Sequence, residues 1–173
     1  SVDGVRRQVV VLGDVAYPQA LLSLDDPPLM LYLLGTAGFG SNQPVVHTNT
    51  KHDAINVIAM KHLIDPALSL AVVGSRNPTP QGAANARLFA KAMAQTGLTV
   101  VSGLALGIDA AAHEGALEGA AANPACGATV AVVGTGLDRV YPRAHRDLAH
   151  RIARNGLLVS EYPLGTPPLT ANF

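Results

Sequence analysis

The chain has 173 residues, of which 49% are hydrophobic and 14% are charged, and its 12 basic and 12 acidic side chains cancel. This composition is typical of a folded globular core and not of a disordered chain, and any site for a polyanion has to come from local clustering of charge. The single Cys126 excludes an internal disulfide, and no apolar run approaches the roughly 20 residues of a membrane helix. We therefore expect a cytoplasmic protein without a membrane span.

The N-terminal part of the chain has an irregular pattern. Apolar runs predict, in chain order, a strand, a short helix and a second strand, at residues 8–12, 19–24 and 29–34. The pattern then weakens over residues 36–69, which we interpret as a connector with one helix at 54–64. His47, His52 and His62 lie in this connector without acidic or cysteine partners at ligand spacing, so no metal site is predicted.

From residue 66 onward, apolar runs and amphipathic segments alternate regularly. The runs predict buried strands and the segments between them predict helices: strands at 70–73, 98–101, 129–133 and 157–160, helices at 81–95, 108–122 and 145–154. Alternation at this spacing is typical of βαβ units with right-handed crossovers. The prediction is an α/β fold with a Rossmann-like parallel sheet and helices on both faces. We assign it to residues 66–173, after a small mixed or helical N-terminal extension and connector at 1–65, and expect it to be incomplete at its C-terminal end.

Three successive turns between a strand and a helix carry small residues that suit an anion. They are Gly74-Ser75-Arg76, the loop from Ser102-Gly103 to Gly107, and Gly134-Thr135-Gly136. Turns of this kind meet at the carboxyl ends of parallel strands, and a glycine loop before a helix N-terminus favours a phosphate, although any tight turn also needs glycines. A dinucleotide site is disfavoured, because Arg139 stands where the fingerprint needs its third glycine, and no P-loop string is present.

Arginines follow two of these turns. Arg76 comes directly after a strand, so its guanidinium could bind phosphate in the crevice that the three turns line, or form a salt bridge at the rim of that crevice. Arg143 and Arg146 lie one turn apart close to Gly136, and we expect them to extend the anion site outward. The later arginines of the same segment are expected to face water.

Asp109 and His113 stand four residues apart on one face of a predicted helix. Such a pair could orient a sugar hydroxyl or transfer a proton, or Asp109 could simply be an acidic residue in the first helical turn, where the dipole favours it. No nucleophile other than Ser102 is evident nearby, and we favour the structural interpretation, with no catalytic residue assigned.

Taken together, these motifs resemble the DNA-processing protein A (DprA/Smf) family. The resemblance rests on residues spread in order along most of the chain: Asp14 with Tyr17-Pro18, Asp26-Pro27-Pro28, Leu31-Tyr32 with Gly35, Val73 to Thr79 with Gly82, Ser102 to Asp109 with His113, Gly134 to Asp138 with Tyr141-Pro142-Arg143, and Ser160 to Pro163. The chain stops at Phe173, where the family continues into a proline- and arginine-rich stretch, and the connector after Gly38 is longer than the usual link.

The resemblance implies a recombination mediator that binds incoming single-stranded DNA in natural transformation, protects it and helps to load a RecA-type recombinase. It also implies a Rossmann-like domain, a homodimer and no nucleotide cofactor. By position, the expected DNA- and phosphate-binding residues are Gly74, Ser75, Arg76, Ser102, Gly103, Gly107, Gly134, Gly136, Arg143 and Arg146.

An enzyme of the nucleotide phosphoribohydrolase type is the alternative, because that class has a similar fold. Its expected Pro-Gly-Gly-x-Gly-Thr signature with a following catalytic glutamate is not found in this sequence, and Glu161 follows a strand without such glycines. The sequence therefore favours a non-enzymatic DNA-binding protein.

Overall fold

A computed structural model describes residues 5–36, 65–121 and 129–173. In these ranges the strands are β1 (Arg6–Val11), β2 (Met30–Gly35), β3 (Ser69–Ala71), β4 (Thr99–Ser102), β5 (Thr129–Val132) and β6 (Leu157–Ser160). The α-helices are α1 (Pro80–Gln95), α2 (Ile108–Ala120) and α3 (Arg146–Asn155). The connector helix predicted at 54–64 lies outside the described residues.

All described strands belong to one sheet, in the order β1-β2-β6-β5-β4-β3. The last four strands are parallel, and β2 joins them by pairing antiparallel with β6, while β1 pairs antiparallel with β2. The α/β class and the parallel arrangement from β3 onward are thus confirmed. The N-terminal hairpin extends the same sheet, whereas the division into segments 1–65 and 66–173 stays a prediction.

Within the described ranges the three α-helices pack on one face of the sheet, and not on both faces as the sequence predicts. Consecutive parallel strands lie side by side in chain order, and right-handed crossovers then place every connecting helix on the same side. Accordingly, Val100 of β4 packs with α1 and α2, and Leu158 of β6 packs with α3. On the opposite face, among the described residues, Ala16 and Tyr17 from the turn after β1 cover the sheet beside Leu33 and Val159.

Local sequence explains where the helices begin and end. The Thr79 side chain accepts a hydrogen bond from Gly82 N at 3.1 Å and Pro80 occupies the first turn of α1, which together fix its N-terminus. Gly97, at φ +90°, follows the C-terminus of α1 in the left-handed conformation, as the sequence predicts. The segment predicted as a helix at 19–24 forms a 3-10 helix at Gln19–Ser23, because its five residues leave no room for a longer α-helical ladder.

Candidate functional site

The turn between β3 and α1 presents Arg76 to solvent. Ser75 Oγ accepts a hydrogen bond from Asn77 N at 3.0 Å, a local contact that rigidifies the turn on both sides of Arg76. Arg76 is exposed, and no salt bridge to a described acidic residue involves it. The Arg76 guanidinium is thus available for an external anion, and the rim salt bridge considered from the sequence is not formed within the described part of the chain.

The central turn uses its own carboxylate to hold two backbone amides. Asp109 Oδ2 accepts hydrogen bonds from Gly103 N at 3.1 Å and from Ala105 N at 3.3 Å. The Ser102 hydroxyl donates to Val72 O at 2.7 Å, and Ser102 is buried. The amides of Gly103 and Ala105 are therefore already hydrogen-bonded and do not point freely at a phosphate, which agrees with a structural role for Asp109.

The first and central turns are joined to each other through Gly107. Ile108 N donates a hydrogen bond to Ser75 O at 3.1 Å, and Gly107 adopts φ +83°, a conformation that glycine tolerates best. A Cβ on Gly107 would lie 2.3 Å from Ser75 O, and a Cβ on Gly74 would lie 2.8 Å from Ile108 Cγ1. Both glycines thus permit close packing between the turns, whatever part they have in ligand binding.

The third turn is covered by the C-terminal segment. Gly134 and Gly136 are buried, Gly136 N donates to Thr166 O at 3.1 Å, and Asn172 Nδ2 donates to Gly134 O at 3.0 Å. A Cβ on Gly136 would lie 2.5 Å from Pro163 O. The sequence places both glycines in a turn whose small residues suit an anion. In the structure their small size admits the backbone of the C-terminal segment.

A groove of about 610 Å³ lies between α3, the loop after β5 and the β1–β2 hairpin. Its floor is apolar and is formed by Leu34, Leu104, Val133, Leu137, Ala149, Ala153 and Leu158. Its rim is mainly basic and is formed by Arg7, Asp138, Arg139, Tyr141, Arg143, Arg146 and His150, with the apolar Val140 among them. We call this feature the α3 groove.

The arginines of the α3 groove are exposed and form no salt bridge with described acidic residues. Among the described residues that line the groove, the only carboxylate is Asp138, which accepts a hydrogen bond from Gly165 N at 2.7 Å. That hydrogen bond holds the pKa of Asp138 below its usual value, and the nearby Arg139 and Arg7 act in the same direction. Four guanidinium groups thus face one carboxylate, which leaves the groove with an excess of positive charge.

His113 is buried in the core behind the central turn. Its Nδ1 lies 2.8 Å from Thr129 Oγ1, and the Thr129 hydroxyl donates to Val100 O at 2.6 Å, so the histidine must be the donor in the first bond. Burial, and to a smaller extent the neighbouring His145, lowers the pKa of His113 from 6.5 to about 3. His113 is therefore neutral at physiological pH and holds α2 against the sheet.

His145 links the central turn to the start of α3. Its Nδ1 donates a hydrogen bond to Leu104 O at 2.9 Å, and Leu104 itself is buried with φ +59°, an uncommon conformation for a residue with a side chain. The contact fixes the central turn relative to Arg143 and Arg146. It explains how two segments 41 residues apart form one continuous surface.

The structure brings Arg143 and Arg146 together in the α3 groove, whereas Arg76 lies two strands away at the end of β3. It adds two basic residues that were not among the predicted site residues, Arg7 and Arg139. Arg139 could have been found from its place in the basic segment, but Arg7 could not, because its position depends on the pairing of β1 with β2.

The fold and the site define an α/β protein whose basic surface suits a phosphate-bearing ligand. Residues 56–173 match the family model for DNA recombination-mediator protein A, and the chain belongs to this family. It is 36% identical over 166 residues to Protein Smf of Synechocystis sp., across 96% of this chain, and 43% identical over 104 residues to DNA processing protein DprA of Streptococcus pneumoniae.

Solved structures give the same result. DNA processing protein A from Streptococcus pneumoniae superposes with a TM-score of 0.71 at 33% identity, over 95% of this chain and 47% of that one. DNA processing protein A from Helicobacter pylori, described with a unique single-stranded DNA binding mode, superposes with a TM-score of 0.68 at 31% identity, over 96% and 61% of the two chains. The Rossmann-like fold is thereby confirmed.

The chain spans 35% of the length of the Synechocystis relative and 34% of the Streptococcus one. Within the described ranges, none of the helices has the length and apolar character that crossing a bilayer requires. No group of three or more histidine, cysteine or acidic side chains in those ranges is arranged to hold a metal ion.

Proposed function

We propose that this chain binds single-stranded DNA as part of a recombination mediator, and that it does so without catalysing a reaction. The observation that carries the proposal is the set of exposed arginines without salt bridges at the carboxyl ends of the strands, Arg76, Arg143 and Arg146, in a member of this family. Guanidinium groups bind phosphates bidentately, so these residues would hold the backbone of a strand.

The remaining predicted residues take different parts in this proposal. Gly74, Ser75 and Gly107 shape the wall beside Arg76, and Ser102 and Gly103 support the central turn through their own hydrogen bonds. Gly134 and Gly136 keep the third turn close to the C-terminal segment. The DNA contacts are thus assigned mainly to side chains, with the glycines setting the shape of the surface.

The wider role is proposed from the family. We place the protein in the cytoplasm, in natural transformation, where a homodimer protects incoming DNA and helps to load a RecA-type recombinase. The single-stranded DNA binding of the Helicobacter pylori relative supports the first step of this role. Loading would be tested separately, by the rate of recombinase filament formation on DNA coated with single-strand binding protein.

Anisotropy of a labelled oligonucleotide, measured over a series of salt concentrations, tests DNA binding. The Arg76→Gln/Arg143→Gln double variant should bind at least about a hundredfold more weakly, because each charge-assisted hydrogen bond contributes about 1.5 kcal/mol or more and the variant loses at least two. The slope of log affinity against log salt should fall by about 0.7 for each phosphate that the variant no longer neutralises.

The matched control is Arg87→Gln/Arg151→Gln, which removes the same charge from arginines that pair with Glu118 and Glu114. It should leave both affinity and salt slope unchanged. Equal losses of affinity in the two double variants would overturn the assigned site. Release of free base from nucleoside monophosphates by the unaltered chain would contradict the non-enzymatic assignment.

A further inference from the structure

The α3 groove runs away from the crevice at the strand ends. Arg143 lies in the 3-10 turn just before α3 and Arg146 is the first residue of α3, and both line the groove together with Val133, which follows β5. Arg7 lies opposite Leu34 in the β1–β2 pair, and Leu34 lies opposite Leu158 near the beginning of β6. The groove therefore follows α3 for most of its ten residues, about 15 Å, from the carboxyl ends of the parallel strands towards their amino ends.

The lining of the groove combines two kinds of surface. Leu34, Leu137 and Leu158 contribute to an apolar floor, and four arginines stand around the rim. A small inorganic anion would make no favourable contact with the apolar floor, and a purely apolar ligand would leave the arginines without an opposite charge. A nucleotide carries both a flat ring with apolar faces and a charged phosphate, and the volume of about 610 Å³ is within the range of roughly 300–1,000 Å³ that small-molecule sites occupy.

Charge within the groove also favours a ligand with more than one phosphate. Among the described lining residues one carboxylate, Asp138, faces four arginines, so it does not neutralise all of them. Arg7 and Arg139 lie at positions that the crevice beside Arg76 does not use. A DNA strand that continued from the crevice past Arg143 would contact Arg7 and Arg139 next.

We propose that the α3 groove binds nucleotides of the same DNA strand beyond the crevice, with a base against the apolar floor and phosphates against Arg7 and Arg139. This inference rests on the proposed function and extends its site. The β1–β2 hairpin then has a direct part in binding, because it supplies both Arg7 and part of the floor.

The first test compares two neighbouring arginines of β1. Successive strand residues point to opposite faces, so Arg7→Gln removes a charge from the groove and Arg6→Gln removes one from the other face of the strand. Arg7→Gln should weaken binding of a thymidine oligonucleotide and lower the salt slope by about 0.7, whereas Arg6→Gln should leave the slope unchanged. Melting temperatures of both variants check that each remains folded.

The second test locates the base directly. An oligonucleotide containing 4-thiothymidine is cross-linked to the unaltered chain by light, and the modified peptides are identified by mass spectrometry. Cross-links to residues 137–141 or to Leu34 support the groove as a base site, since these residues line it. Cross-links confined to the turns beside Arg76, together with normal binding by Arg7→Gln, overturn the groove while leaving DNA binding intact.

Thymidine monophosphate as a second probe separates this inference from the proposed function. If the oligonucleotide fails to bind and the mononucleotide binds in a manner that depends on Arg7, DNA binding is wrong and the groove is a site for free nucleotides, which contradicts the strand path. If neither probe binds, both proposals fail. Oligonucleotide binding that depends on Arg76 and equally on Arg7 supports both.

Discussion

The arginines of this protein fall into two groups that differ in what they face. On the outer surface of the helices, Arg87 pairs with Glu118, and Arg151 pairs with Glu114 at 2.8 Å. Around the turns and the α3 groove, Arg76 and Arg143 have no salt bridge to a described acidic residue. The same side chain therefore joins helices in one region and remains available to a ligand in the other, so the number of basic residues alone cannot distinguish the two uses.

The backbone differs between these regions as well. Helices α1 and α2 approach so closely that a Cβ on Gly115 would lie 2.0 Å from Arg87 O, and one on Gly119 would lie 2.4 Å from Lys91 O. The basic region is instead built from turns whose polar groups are satisfied by Asp109 and His145. We expect substitutions in the helix pair to change stability and substitutions of the exposed arginines to change binding.

Of the substitutions compared at pH 7, Gly115→Val should cause the largest loss of stability. The new side chain would collide with the backbone of α1, and overpacking of this kind costs about 1–3 kcal/mol, here at the upper end because backbone has to move. Thermal denaturation should show a clear fall in melting temperature, while the folded fraction retains the salt slope of the unaltered chain. A changed slope would mean that the helix pair also takes part in DNA binding.

The neutral state of His113 should make stability depend on pH. Its pKa is lowered from 6.5 to about 3 in the folded protein, so below pH 6.5 the unfolded chain binds a proton that the folded chain does not. The stability that neutral His113 provides is fully present above pH 6.5 and is lost as the pH falls towards 3, at about 1.4 kcal/mol per pH unit.

Denaturant titrations between pH 7 and pH 4.5 measure this dependence. His113→Asn keeps an N–H donor near Thr129 and removes the titrating ring, so its pH profile should be flatter, although its stability at pH 7 is lower. Parallel profiles for the two proteins would contradict the assignment of this dependence to His113.

Asp109→Asn should have a smaller effect of about 1 kcal/mol. The asparagine keeps one oxygen to accept from Gly103 N and Ala105 N, but it loses the charge that strengthens both hydrogen bonds. Chemical denaturation measures the change, and oligonucleotide affinity should fall only slightly. Complete loss of binding in a protein that remains folded would give Asp109 a direct role in binding the ligand.

Arg87→Gln should have the smallest effect, below about 0.5 kcal/mol, because exposed ion pairs contribute little to stability. Arg143→Gln, which removes the same charge, should reduce the salt slope of DNA binding by about 0.7 while Arg87→Gln leaves it unchanged. The two variants sharpen the contrast between paired and available arginines without disturbing the fold.

The regular part of the fold could be predicted closely from sequence. The strand Leu157–Ser160 has the predicted bounds, and α1 begins at Pro80, one residue before the prediction. These segments are decided locally, by apolar runs, by the Thr79 cap and by Gly97 after the helix. The helix expected at 19–24 differs, because a five-residue segment depends on its packing more than on its pattern.

The sequence by itself determined the α/β class, the order of the regular elements and the exposed arginines near the turns, because periodicity and glycine placement act over short distances along the chain. Only the tertiary structure decided that the N-terminal hairpin extends the sheet beside β6, that Asp109 occupies the amides of the central turn, and that the C-terminal segment covers Gly134 and Gly136. It also decided that Arg7 joins Arg139 in one groove. The hairpin, the covered glycines and the groove depend on contacts between residues far apart in the sequence. The Asp109 contact depends on which acceptor takes the amides of the central turn. Neither cause leaves a local pattern in the sequence.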